Sequence, residues 1–120
     1  MGQNARAAST QMPVPIDHAH LARYTMGNRS LEIEVLQLFS GQAPETLASL
    51  MAAKDPKAWH IAAHTLKGSA RAVGAWAVAT AAEEAEKAGH DHTQRAEMLA
   101  RLEALLVEAS GYIDGLAVVA

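Results

Sequence analysis

Residues 56–73 read PKAWHIAAHTLKGSARAV, and this pattern predicts an amphipathic helix. Asp55 supplies an N-cap oxygen, Pro56 suits the first helical position, and Gly74 is the residue type preferred just beyond a helix end. At about 100° per residue, one side of this helix is apolar and is centred on Leu66. The residues within about 40° of that centre are Trp59, Ala62, Ala70 and Val73. We therefore expect this side to face a helical core.

The opposite side of the same helix carries polar side chains. His64 lies about 160° from Leu66, and Gly68 lies about 160° from it in the other direction. The residues at about 100–140° are Lys67, Arg71 and His60. His64 is thus expected to be exposed near the middle of a rigid helix, beside cations that favour the approach of an anion.

Gly68 is unusual because glycine in a helix interior costs about 1 kcal/mol relative to alanine. Alanine is the most frequent residue of this chain and would suit the position. Close packing against a neighbouring helix is one explanation, but Gly68 is not on the predicted core side. Close approach of another molecule beside His64 is the other explanation.

The rest of the chain also predicts helices and no strands, because aromatic strand formers are sparse at 4% and no segment alternates. Further helices are expected at 16–24 after an Asp17 cap, at 31–53 after Ser30 with a bend at Pro44, at 75–88, and after a Thr93 cap. The apolar stripe of the second helix is expected to comprise Val35, Phe39, Ala43, Thr46 and Leu50, widened by Leu31, Leu36 and Leu47. The expected fold is all-α: an antiparallel up-down four-helix bundle with a short extra N-terminal helix, in residues 16–120. Residues 1–15 are expected to form a flexible arm.

Composition excludes several classes of function. The net charge of −3 provides no basic surface for nucleic acid. The chain has no cysteine, so disulfides, thiol chemistry and Cys-ligated zinc are excluded. It has no apolar run long enough for a membrane span and no signal-peptide pattern, so a cytoplasmic protein without membrane contact is expected.

Two other clusters of polar residues are interpreted as structural or solvated. His60 and His64 are four residues apart, a spacing that can ligate a metal from one helix. A zinc site needs more ligands than these, so we expect no metal. Glu83, Glu84 and Glu86 are expected to form the solvated face of their helix.

One longer pattern resembles the signature of histidine-containing phosphotransfer (HPt) domains. It runs His64-x-x-Lys67-Gly68-Ser69-Ala70, then Gly74-Ala75, then Glu83-Glu84-Ala85-Glu86. The helix before it, with Phe39 and Pro44, is also similar to the corresponding HPt helix, so the resemblance covers about residues 16–116. The chain departs modestly from the pattern at Ala70, where a second small polar residue is common, and at Ala82, where a Cys or similar small residue is.

The resemblance implies a carrier that passes phosphoryl groups to and from the aspartate of response-regulator receiver domains, including that of a hybrid histidine kinase. By the same resemblance His64 is phosphorylated, Lys67 steadies the phosphoryl oxygens and Gly68 admits the receiver. Arg71 and His60 are further candidates for partner contact. No cofactor of its own is expected. Mg²⁺ is expected on the receiver, because the sequence indicates no acidic cluster on the His64 side.

The same motif leaves two alternative classes open. A sensor-kinase dimerisation and phosphotransfer domain normally has an acidic residue after its histidine, whereas Thr65 follows His64 here. A helical adapter that works without phosphorylation is the second alternative. The chain has no Gly-x-x-x-x-Gly-Lys nucleotide loop, so we expect a carrier rather than an enzyme with an ATP site. We also expect it to be a monomer.

Overall fold

The computed structural model describes residues 14–119, so the predicted arm lies outside them apart from Val14 and Pro15. These residues form five α-helices and no strand. The helices are α1 (His18–Thr25), α2 (Arg29–Ala52), α3 (Pro56–Val73), α4 (Trp76–Ala88) and α5 (Arg95–Val119). None of them is long and apolar enough to cross a membrane.

The four long helices form a bundle in which each helix packs against the next one in the chain. Helix α5 also packs against α2 and closes the bundle, while α1 lies against α2 and α3. Short connections between consecutive helices favour antiparallel neighbours. The prediction of an all-α four-helix bundle with a short extra N-terminal helix is confirmed.

The beginnings of α2 and α5 differ from the predicted ones. Asn28, not Ser30, caps α2, because its side-chain oxygen accepts a hydrogen bond from the Leu31 amide at 3.0 Å. Helix α5 begins at Arg95 rather than directly after Thr93. The Gln94 amide donates to His92 Nδ1 at 3.0 Å, so an imidazole satisfies an amide where a hydroxyl cap was expected.

The buried side of α2 is rotated relative to the predicted stripe. Its buried residues are Leu36, Phe39, Ala43, Leu47 and Leu50. Val35 and Thr46 are only partly buried, and Leu31 is exposed. The rotation has a physical cause, because α2 must cover both α3 and α5. The helix continues unbroken through Pro44, whose ring is exposed.

Gly74 joins α3 to α4 and holds the start of α1. Its φ of 76° is left-handed, and its amide bonds the carbonyls of Ala70 and Arg71. Its own carbonyl accepts from the Asp17 amide at 2.9 Å. A Cβ at Gly74 would lie 2.9 Å from the Asp17 carbonyl oxygen. Both the backbone angle and the close approach therefore require glycine.

We expect Gly74→Ala to lower the free energy of unfolding by at least about 2 kcal/mol, from left-handed strain and the clash together. Gly27→Ala is the matched control, because Gly27 has the same φ of 76° but no heavy atom within 4 Å of an added Cβ. Urea unfolding followed by circular dichroism measures both. Equal losses in the two variants would contradict the proposed role of the Asp17 contact.

Candidate functional site

The packing of α3 against α4 sets the positions of the site residues. Fully buried alanines on both helices, among them Ala63 on α3 and Ala82 on α4, allow close approach. Trp59 is buried on α3, and its indole Nε1 donates to the Ala85 carbonyl of α4 at 2.7 Å. Because this bond fixes the register of the two helices, the residue after Ala85 lies opposite the polar side of α3. That residue is Glu86.

The α3 face opposite the core is open to solvent, as the helical angles predict. The His64 side chain is 64% exposed, whereas Leu66 is 1% exposed on the other side. The His60 ring lies next to His64, with 5.7 Å between ring centroids and 19° between planes. The helix thus presents two stacked imidazoles from a well-packed support.

The Glu86 carboxylate divides its oxygens between a cation and two imidazoles. Oε1 accepts a hydrogen bond from Lys67 Nζ at 2.6 Å. Oε2 lies 3.1 Å from His64 Nδ1 and 3.4 Å from His60 Nδ1. The hydrogen bond from Lys67 is the main cause that lowers the pKa of Glu86, with a smaller contribution from His64 and an opposing one from burial. Glu86 is therefore an anion at neutral pH.

This anion determines where the proton of a neutral His64 ring is held. An ionised carboxylate can only accept hydrogen bonds, so the nitrogen facing it must donate. His64 Nδ1 is that nitrogen, at 3.1 Å from Oε2. A neutral imidazole carries one N–H, so Nε2 keeps a free lone pair. The site therefore holds His64 in the tautomer in which Nε2 is a nucleophile.

One expectation from the sequence is wrong at this site. Glu86 is not part of a solvated face, because its side chain is only 11% exposed and lies against α3. Lys67, its partner, is 14% exposed. A helical projection of α4 could have indicated the position of Glu86, because Glu86 borders the buried stripe that contains Ala82 and Ala85. Glu84 and Lys87 do remain exposed.

The other predicted site residues share this face of α3 but differ in their surroundings. Arg71 is exposed, and its Nη2 lies 3.5 Å from Oε1 of Glu83 on α4. Gly68 is exposed, and a Cβ added there would have no heavy atom within 4 Å. Packing against a neighbouring helix therefore does not explain Gly68.

The Glu86 pair should make stability depend on pH. The folded-state pKa of Glu86 lies below its ordinary value of 4.5, so its contribution is complete above that value and is lost as pH falls through the lower, folded pKa. We expect Glu86→Gln to cost about 1 kcal/mol of unfolding free energy at pH 7, after allowance for solvent screening. The difference from the wild type should shrink toward zero on acidification.

Urea unfolding between pH 7 and pH 2 measures this difference, with exposed Glu84→Gln as the matched control. A cost that stays constant with pH would show that the charge of Glu86 is not responsible.

Comparison with known proteins identifies the family of this chain. A family model described as Hpt domain matches residues 34–111, about two thirds of the chain, and the matched range contains all the predicted site residues. No curated protein and no solved structure gives a significant match. The chain therefore belongs to the Hpt domain family, whose members act in histidine phosphotransfer in two-component signalling.

Proposed function

We propose that this chain is a phosphorelay carrier that accepts a phosphoryl group on His64 Nε2 and passes it on. The donor is the phosphoaspartate of a receiver domain, such as that of a hybrid histidine kinase, and the acceptor is another response-regulator receiver. One observation carries the proposal. The contact between His64 Nδ1 and Glu86 leaves Nε2 as the nucleophile on an exposed helix face.

The transfer step needs little machinery from this chain. The Nε2 lone pair attacks phosphorus in line, a P–N bond forms, and the P–O bond to the receiver aspartate breaks. The aspartate leaves with the electron pair as a carboxylate. Such transfers depend mostly on positioning and on charge stabilisation. The rigid α3 support provides the positioning.

Glu86 also stabilises the product of this step. After transfer, the ring carries phosphorus on Nε2 and still holds its proton on Nδ1, so the ring itself is a cation. The Glu86 carboxylate faces that proton. A hydrogen bond between two charged groups is stronger than one between neutral groups. Glu86 is thus a positioning residue that acts through His64.

We propose that Lys67 leaves Glu86 and binds the phosphoryl oxygens when His64 is phosphorylated. In the resting protein its ammonium is bound to Glu86 Oε1. Residues three apart on a helix are surface neighbours, so Lys67 lies beside His64. An incoming phosphoryl group adds negative charge next to Lys67 and competes with Glu86 for it. Arg71 and His60 are proposed to contact the receiver.

The Mg²⁺ that assists the transfer is proposed to come with the receiver. Mg²⁺ prefers several oxygen ligands in octahedral geometry. Within the described residues, the carboxylate that faces His64 is Glu86, which Lys67 already neutralises. We further propose that the carrier has no ATP site of its own and that it is located in the cytoplasm.

The bundle also supports the monomeric carrier over the sensor-kinase alternative. A dimerisation domain builds its bundle from two chains, whereas one chain supplies all four long helices here. We propose that the protein is a monomer.

His64→Gln should abolish phosphorylation, because glutamine offers no nucleophilic ring nitrogen. The full chain is incubated with phosphoramidate, a small phosphoryl donor to imidazole, and with receiver domains that carry labelled phosphoaspartate. The wild type and the His92→Gln control, which removes an exposed histidine far from α3 in sequence, should both gain label. Labelling of His64→Gln at the wild-type rate would disprove the assignment to His64, and a wild type that gains no label from either donor would favour the adapter alternative.

Gly68→Ala should separate stability from partner docking. Alanine in this helix interior should raise the free energy of unfolding by about 0.5–1 kcal/mol, since an added Cβ meets nothing in the protein. It should nevertheless slow transfer from a receiver domain, because the methyl group occupies the approach beside His64.

Gly111→Ala is the matched control for Gly68→Ala. Gly111 is exposed on α5, which does not pack against α3, and a Cβ there is also free of contacts. It should gain stability without slower transfer. Equal receiver transfer rates in both variants would rule out the proposed docking role of Gly68.

A further inference from the structure

We propose that His60, His64 and Glu86 form a binding site for a divalent transition metal such as Zn²⁺, and that the bound metal blocks phosphorylation of His64. The first part of the proposal concerns binding alone. The second part rests on the proposed function of His64 as the phosphoryl acceptor.

The positions of the three side chains suit such an ion. No metal was expected from His60 and His64 alone, but Glu86 of α4 supplies a third ligand: one potential ligand atom from each residue lies within 4.8 Å of the other two. Oε2 of Glu86 lies 3.1 Å from His64 Nδ1 and 3.4 Å from His60 Nδ1. Zn–N and Zn–O bonds of 2.0–2.2 Å in a tetrahedron place ligand atoms about 3.3–3.5 Å apart. The two distances from Glu86 therefore match a tetrahedron to within about 0.2 Å, and the two imidazoles, 5.7 Å apart at their centroids, must rotate toward each other to complete it.

The type and exposure of the ligands also fit a transition metal. Two imidazoles and one carboxylate form a donor set that zinc uses in proteins, with water in the fourth position. Both rings are more than half exposed, so solvent can supply that water and the ion can enter. His60 and His64 project from adjacent turns of one helix, which keeps their separation fixed.

Lys67 makes this site weaker than a structural zinc site but keeps it ordered. Its ammonium holds Oε1 of Glu86 and leaves Oε2 to face the imidazoles. A hydrogen bond to the second oxygen orients a ligating carboxylate. The positive charge of Lys67 also opposes a cation close by. We therefore expect reversible binding that follows the concentration of free metal.

Metal and proton at Nδ1 have opposite effects on Nε2. With a proton on Nδ1, the neutral ring has a lone pair on Nε2, which can attack phosphorus. A metal on Nδ1 binds a lone pair of Nδ1 itself. The proton that Nδ1 held must therefore move through solvent to Nε2. The ring keeps one proton and stays neutral, but Nε2 is now an N–H donor without nucleophilic character. A doubly protonated ring releases one proton on binding.

The binding experiment uses the full chain and Zn²⁺ alone. Isothermal titration at pH 7 is run on the wild type, His60→Gln and Glu86→Gln, with His92→Gln as the control for loss of a histidine. Each ligand substitution should weaken binding at least about tenfold, as even loss of an outer-shell partner does in metal sites. The control should bind like the wild type. Equal affinity in all four proteins would overturn the site.

Nitrogen NMR of the imidazoles tests the tautomer directly. Zn²⁺ should move the His64 proton from Nδ1 to Nε2 in the wild type. It should leave the His64 ring of His60→Gln unchanged at the same metal concentration. A His64 ring that keeps its Nδ1 proton in zinc-saturated wild type would overturn the proposed mechanism of inhibition.

The inhibition experiment uses phosphoramidate as donor, because it needs no receiver domain and no Mg²⁺. Each protein is compared with its own metal-free rate. Zn²⁺ should slow phosphorylation of the wild type at least about tenfold, in line with occupancy of most of the sites. It should not slow His60→Gln at the same concentration. Equal slowing of both proteins would overturn inhibition through this site.

The two hypotheses fail in different ways. If the wild type binds Zn²⁺ through these residues but phosphoramidate does not phosphorylate it, the metal site stands and the proposed carrier function fails. If phosphorylation proceeds on His64 but binding does not depend on His60 and Glu86, the carrier function stands and the metal site fails.

Discussion

The carboxylate of Glu86 connects the polar groups of the α3 face, and their chemistry depends on how it shares its two oxygens. Lys67 takes Oε1 and keeps the group ionised, while Oε2 faces the Nδ1 atoms of both imidazoles. An acceptor in that position leaves the lone pair of His64 on the outer nitrogen. The contact of Glu86 with Nδ1 of His64 thus determines whether the exposed Nε2 of the same ring is nucleophilic.

This arrangement depends on apolar packing below the site. Glu86 belongs to α4, so its position relative to His64 follows from the register of two helices. Alanine contacts let the helices approach, and the bond from Trp59 to the Ala85 carbonyl fixes their offset. Arg95 lies over the Trp59 ring, 4.8 Å from its centroid, and bonds the carbonyl of Ala53. The buried core therefore fixes the relative positions of the site residues at the surface.

The orientation of α3 could be predicted from sequence because its signals are local. Asp55, Pro56 and Gly74 mark its ends, and the 3.6-residue period separates Leu66 from His64. The role of Glu86 could not, since it depends on the offset between two helices, which no short-range pattern encodes. The cap of α2 was misassigned because Asn28 and Ser30 are both good cap residues, and only the observed bond to the Leu31 amide decides between them.

The separation of the two sides of α3 has a consequence for how such domains diversify. Leu66 and the other core residues constrain one side, whereas a side chain added at Gly68 on the other side would begin in open space, with no heavy atom within 4 Å of its Cβ. Substitutions at such surface positions usually change stability by less than about 0.5 kcal/mol. Duplicated copies of this domain can therefore acquire different signalling partners while they retain the same fold.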